Sequence, residues 1–213
     1  MRDSSGQGST GQGAARSSTP RLTSPRIPPL PPDQWGPGMR DALAALLPTD
    51  ARHPLPPRGE GRSKGLNVLG TLAQHPTLTT AYHTFNGYIL FGSTLDPRDR
   101  ELLVLRVSIL RDAPYEWAQH VIQGLDAGLT REEIERIRVG PTAEGWLPIE
   151  RTMLQAVDEL VDDAMVTDET WKALAEHFGT EELMDLVFTV GCYELLAMAF
   201  NSFGLQLDDD LRP

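Results

Sequence analysis

Residues 96–130 read DPRDRELLVLRVSILRDAPYEWAQHVIQGLDAGLT, and this stretch decides the fold. Asp96 stands before Pro97. A short carboxylate there can accept from free amides of a first helical turn, and the proline ring already has the backbone angle of that turn. Leu102, Leu105 and Ile109, together with Leu103, Val107 and Leu110, then cover most of the girth of the helix. A helix apolar nearly all round has to be buried. Arg111-Asp112-Ala113-Pro114 breaks it, Pro114 opens a second helix, and Gly128 closes that one. Thr130 with Glu133 three positions on is a capping box for a third.

A buried central helix needs partners on every side, and the rest of the chain supplies them. Met39, Leu43, Leu46 and Leu47 share a face of a short helix that Pro48 ends. A helix over 67–74 follows, and Pro76 starts the next. There Leu78, Ala81, Tyr82, Phe85 and Ile89 form the apolar stripe and Gly92 is the stop; His83 and Asn86 lie beside the stripe, where each could be a site residue, though the first reading is a surface polar residue. Further helices are expected over 132–139, 149–165, 171–178 (capped by Thr167) and 181–203. The apolar run 183–203 is interrupted by Asp185, Glu194 and Asn201, as in a core helix rather than a membrane span. No segment shows sustained alternation, so the fold class is all-α: a compact bundle of about six to eight helices.

Residues 1–35 are Ser, Gly, Pro and Arg with few large apolar side chains, and are expected to form a disordered arm. Residues 36–65 hold the short helix and a mobile Pro/Gly-rich connection that could lie over a site. The folded domain is expected over 66–207, with 208–213 an acidic tail that frays.

The 213 residues carry a net charge of -11, which argues against a nucleic-acid partner or an anionic membrane surface. Cys192 is the single cysteine, so a disulfide within the chain and a CxxC redox pair are both excluded. The chain opens without an apolar leader, and a cytoplasmic location is the expectation.

Four ionisable groups interrupt the apolar central stretch: Glu101, Arg106, Glu116 and His120. Glu116 and His120 are one turn apart on one face, where a carboxylate can fix the tautomer of an imidazole and poise it for proton transfer. Glu101 lies in the first turn of its helix, where the helix dipole favours a carboxylate. Arg106 sits among leucines and must be paired, with Glu101, Glu116 or a substrate carboxylate as its candidate partners. Tyr115 and Trp117 flank Glu116 as candidate substrate contacts. The sequence has no HExxH and no Gly-rich phosphate loop, and its histidines lack metal-ligand spacing with one another. Neither a metal nor a cofactor is expected, with a metal on His120, Glu116 and Glu101 kept as a minor option.

Arg100-Glu101-Leu102, then Glu116-Trp117-Ala118-Gln119-His120, then Ala127-Gly128-Leu129-Thr130 with Glu133-Ile134, resembles the carboxymuconolactone decarboxylase family, which includes the alkyl hydroperoxidase D branch. The resemblance spans residues 66–207 and is strongest over 98–134. In the peroxidase branch a glutamate, a CxxC pair and a histidine form a proton relay. The glutamate and histidine fall on Glu101 and His120, but the two cysteines fall on Ala113 and Glu116, so the thiol nucleophile is missing. In the decarboxylase branch Glu101, Glu116 and His120 all match. That implies cofactor-independent loss of carbon dioxide from a small lactone or β-keto acid, with proton delivery to the resulting enolate and Arg106 holding a carboxylate or the enolate. The resemblance also implies a homo-oligomer. Two alternatives stand beside this: a peroxidase-type label without thiol activity, and a non-catalytic oligomeric binding or scaffold protein in which the ion cluster is structural.

Overall fold

The computed structural model describes residues 19–53 and 63–211. Among these, nine α-helices run in order: α1 (Gly38–Ala45), α2 (Leu66–Leu72), α3 (Pro76–Gly87), α4 (Pro97–Leu110), α5 (Pro114–Asp126), α6 (Arg131–Val139), α7 (Pro148–Asp163), α8 (Asp168–Ala175) and α9 (Thr180–Phe203). Among the described residues there is no strand, so the chain is all-α.

α4 is the axis of the bundle. Every residue from Arg100 to Ser108 is buried, because α5, α6, α7 and α9 all pack on it. Asp96 caps it by accepting from the Arg98 amide at 2.8 Å, and Pro97 takes the first helical position. The Thr130–Glu133 capping box forms at the start of α6, with bonds of 3.1 and 2.8 Å. Arg98 ties three elements together, donating to Glu133 and Glu150 at 2.6 Å each. α9 is long and apolar enough to cross a membrane by length and composition alone. It is the second core helix, burying Leu186, Val190, Tyr193, Leu196 and Phe200.

α3 buries only part of its expected apolar stripe: Ile89 and Tyr82 pack on the core, but the helix also turns a polar face inward. Thr79, His83, Asn86 and Gly87 face inward, while Leu78 and Phe85 are exposed. The reason is α1, which packs on the polar side of α3. Gly87 permits the contact, since a Cβ there would overlap the Leu46 carbonyl oxygen. A π-type turn, Tyr88–Gly92, then redirects the chain, closed by the Ser93 amide on the Tyr88 carbonyl at 2.8 Å. With Tyr88, Met184, Phe188, Leu195 and Met198, the outer residues of α3 leave an apolar strip exposed across α3 and α9. Phe85 and Phe188 meet edge to face at its centre.

Both expected ends of the domain shift. Residues 19–35 are a strap and not part of an arm: Arg26 donates its amide to the Phe203 carbonyl at 2.7 Å, and Leu30 to the Gly70 carbonyl at 3.0 Å. Prolines at 20, 25, 28, 29, 31 and 32 reduce the entropy that such an extended segment loses on ordering. The remainder of the expected arm, residues 1–18, and most of the expected lid, residues 54–62, lie outside the described residues. The acidic tail is anchored through Asp208, which is buried and accepts from the Asn67 amide at 2.7 Å and the Tyr115 hydroxyl at 2.6 Å.

Candidate active site

A pocket of about 230 Å³ opens between α2, α3, α5 and α9. Its wall is apolar over most of its area, from Val68, Leu72, Leu196 and Phe200 among others, and it includes Glu116 and His120 from α5 and His83 and Asn86 from α3. Such a space takes a single ring with a few substituents.

His120 is the best-held of these groups. Its Nδ1 lies 2.7 Å from a Glu101 carboxylate oxygen, and its ring stands edge-on to Tyr193 at 4.8 Å. Glu101 is fully buried behind it and also accepts from Arg100 at 3.1 Å. Arg100 is held in turn by the Leu90 carbonyl at 2.8 Å. Burial alone would raise the pKa of Glu101, but the charges and hydrogen bonds of His120 and Arg100 outweigh it and hold the carboxyl below its ordinary value. An anionic Glu101 that accepts from Nδ1 leaves His120 Nε2 outside that bond.

Glu116 is the opposite case. It lines the pocket, is 2 % exposed, and neither carboxylate oxygen has a hydrogen-bond partner among the described residues. Burial pushes its pKa up to about 9, with the Glu194 charge adding to the effect. At neutral pH it is a carboxylic acid. Glu101 behind the pocket wall and Glu116 in it thus differ in protonation state, one anionic and one protonated, through their environments.

The spacing of Glu116 and His120 suggested that these two would pair. They share the pocket wall, but the imidazole turns to Glu101 on the neighbouring helix. Arg106 is not part of the site. Its guanidinium forms a two-pronged pair with Asp158 at 2.6 and 2.8 Å and donates to the Ile137 and Arg138 carbonyls, locking α4 to α7 and to the end of α6. Gly140, with a φ of 94°, faces that guanidinium, and a Cβ would overlap it. Trp117 is outside the pocket too, lying under the Arg138 guanidinium at 4.0 Å. Tyr115 does line the pocket, but its hydroxyl is committed to Asp208 and accepts from Gln119 at 3.3 Å. Burial and then the Asp208 contact raise its pKa far above the ordinary phenol value.

Among the pocket residues that the sequence did not single out are two at one edge of the lining. These are Ser63 and Lys64, and Lys64 is the cation among the described lining residues. Nothing local signalled these two, whereas the inward polar face of α3 could have been suspected from the polar periodicity Thr79, His83, Asn86. Cys192 is buried beside Asn86 and is not in the pocket lining. Burial, then Glu116, pushes its thiol up to about 12. No group of His, Cys, Asp and Glu able to hold a metal occurs among the described residues.

Comparisons with known proteins agree with this architecture. A debrominase, Bmp8, crystallised as a single-substitution variant in complex with 2,3,4-tribromopyrrole, superposes with a TM-score of 0.64 at 16% identity, over 89% of this chain and 95% of its own. An uncharacterised peroxidase-related protein from Ralstonia eutropha JMP134, described as an alkylhydroperoxidase AhpD core, superposes at 0.62 with 22% identity, over 68% of this chain and 78% of its own. A protein of unknown function from Agrobacterium tumefaciens, considered an AhpD antioxidant defence protein, gives 0.61 with 23% identity, over 64% of this chain and 94% of its own. These likenesses establish the shared fold. No curated protein matches. Residues 76–159, which run from α3 through most of α7 and carry Glu101, Glu116 and His120, match the carboxymuconolactone decarboxylase family.

Proposed function

We propose that this chain is a cofactor-independent enzyme that transfers a proton at an activated carbon, and that its reaction is decarboxylation of a small lactone acid or β-keto acid. The observation that carries this is Glu116: a buried, unpartnered carboxyl placed in the same pocket as a histidine whose orientation is fixed by a second, anionic carboxyl. A structural ion cluster would have paired Glu116, because leaving a buried polar group unmet costs about 1–3 kcal/mol.

The chemistry follows from the two protonation states. The substrate carboxylate sits at the mouth on Lys64. The carbon–carbon bond to it breaks, carbon dioxide leaves, and the bonding pair moves into the adjacent carbonyl as an enolate. The acid proton of Glu116 bonds the enolate oxygen and lowers its energy. Protonated His120, steadied by Glu101, delivers a proton from Nε2 to the carbon and is reprotonated from solvent. Arg106 has no part in this, and the carboxylate contact passes to Lys64. Thiol peroxidase chemistry is outside the proposal, because the single cysteine is buried with a raised pKa.

We also propose that a second copy of this chain covers the exposed strip of Phe85, Tyr88, Met184, Phe188, Leu195 and Met198, an extent of apolar surface that isolated soluble proteins seldom leave open. A cytoplasmic setting completes the proposal. The test of the reaction is release of carbon dioxide from such acids by the wild-type protein and its loss in His120→Ala. Full release by His120→Ala would refute it.

A further inference from the structure

α1 lies outside the stretch that matches the family, yet it touches the pocket in two ways. Leu46, at its C-terminal end, is part of the lining. The Ala42 carbonyl oxygen lies 2.7 Å from Nδ1 of His83. His83 is 3 % exposed and belongs to the same lining as Glu116 and His120.

That contact fixes the chemistry of the ring. A carbonyl oxygen only accepts, so Nδ1 carries the proton. Burial lowers the pKa of the imidazole, partly offset by the Ala42 bond, and the ring is neutral at neutral pH. A neutral imidazole protonated at Nδ1 has its lone pair at Nε2. The approach that makes this possible depends on Gly87, which lets the α1 backbone close on α3. Two independent features, a bare backbone at Gly87 and an oriented carbonyl at Ala42, thus converge on the tautomer of one pocket residue.

We propose that His83 is the specificity-determining residue of the pocket: its Nε2 accepts a hydrogen bond from an N–H or O–H of the substrate. The substrate class is then a single-ring compound that offers a carbonyl to Glu116 and a hydroxyl or ring N–H to His83, such as a hydroxylated lactone. The inference rests on the pocket being the substrate site. It gives α1 a task, that of holding His83 in the accepting tautomer. The pocket volume suits this class, since a cavity of about 150 Å³ admits a bare benzene ring.

The test uses the full chain and two probes that differ by one donor, phenol and anisole. Nitrogen–proton correlation spectra of histidine-labelled protein report the tautomer directly, and the wild type is expected to show His83 protonated at Nδ1 alone. Titration is expected to give phenol an affinity about tenfold above anisole, the worth of one hydrogen bond in a dry site. His83→Asn keeps a donor for the Ala42 carbonyl and removes the acceptor at Nε2, and is expected to bring the two affinities level with anisole unchanged. The proposal is overturned by a proton on Nε2 in the wild type, by equal affinities in the wild type, by no saturable binding of phenol, or by an undiminished preference in His83→Asn. If His83→Asn fails to fold, the wild-type tautomer and affinity ratio still decide. His120→Ala is expected to keep the preference for phenol, so failure of the proton-transfer chemistry and failure of this inference give different results.

Discussion

Replacing Glu116 with Gln removes one titrating proton and almost no volume, and the consequence can be worked from the structure. In the unfolded chain this carboxyl titrates near 4.5, and in the folded chain burial holds it protonated up to about 9. Between those values the folded state keeps a proton that the unfolded state has released. Stability therefore falls as pH rises through the window and levels off above it. Each pH unit is worth about 1.4 kcal/mol, so the penalty is under about 1 kcal/mol at pH 5 and on the order of 3 kcal/mol at pH 7. Glu116 is 2 % exposed, and solvent screening does not reduce these values much. Gln carries no such proton. Urea unfolding of the two proteins at a series of pH values is expected to show Glu116→Gln gaining on the wild type by about 2 kcal/mol between pH 5 and 7, with equal m-values. The pH dependence is the readout, because a constant offset from the altered hydrogen bonding cancels in it. A difference between the proteins that stays flat over this range, or that runs the other way, would refute the assignment of Glu116 as a buried acid.

Arg106→Ala is expected to destabilise the fold by about 3–5 kcal/mol in a thermal or urea melt, because it strands Asp158 and two carbonyls while removing nothing from the pocket. Glu101→Gln should leave the melt near neutral pH less affected than activity, which falls on the order of a thousandfold as His120 loses its orienting anion. The same substitution should also remove stability that the wild type loses as pH falls through the depressed pKa of Glu101, a difference visible in acid unfolding. Phe188→Asp places a charge at the centre of the exposed strip. It is expected to convert an oligomer to a folded monomer in light scattering, and an unchanged mass would argue against the proposed interface.

The local rules carried far along this chain. The girth of α4, its Asp96–Pro97 start, the Thr130–Glu133 box and the core helix α9 all depend on neighbours within a turn or two, and each forms as the sequence implies. Partner choice was less legible. Arg106 had to be paired, but Asp158 lies 52 residues away on α7, and nothing in the spacing of either residue names the other. His120 had a neighbour one turn back in Glu116 and took one from α4 instead. α3 shows most clearly what periodicity leaves open. Its apolar stripe predicted one inward face, yet α1 arrives from the other side, through Gly87, and buries His83 and Asn86. Residues 19–35 hold few large side chains, of which Leu30 and Trp35 pack against Met39, Ala42 and Ala73. Proline stiffness and main-chain bonds to Phe203 and Gly70 supply the rest of the order.

The central claim is that His120, oriented by Glu101, moves a proton at carbon in the pocket beside a protonated Glu116. The most direct test is incubation of wild type and His120→Ala in heavy water with a set of small β-keto acids and γ-lactone acids, following deuterium at the activated carbon by NMR and release of carbon dioxide. The account predicts incorporation and release by the wild type and neither by a folded His120→Ala. Equal rates from the two proteins would contradict it.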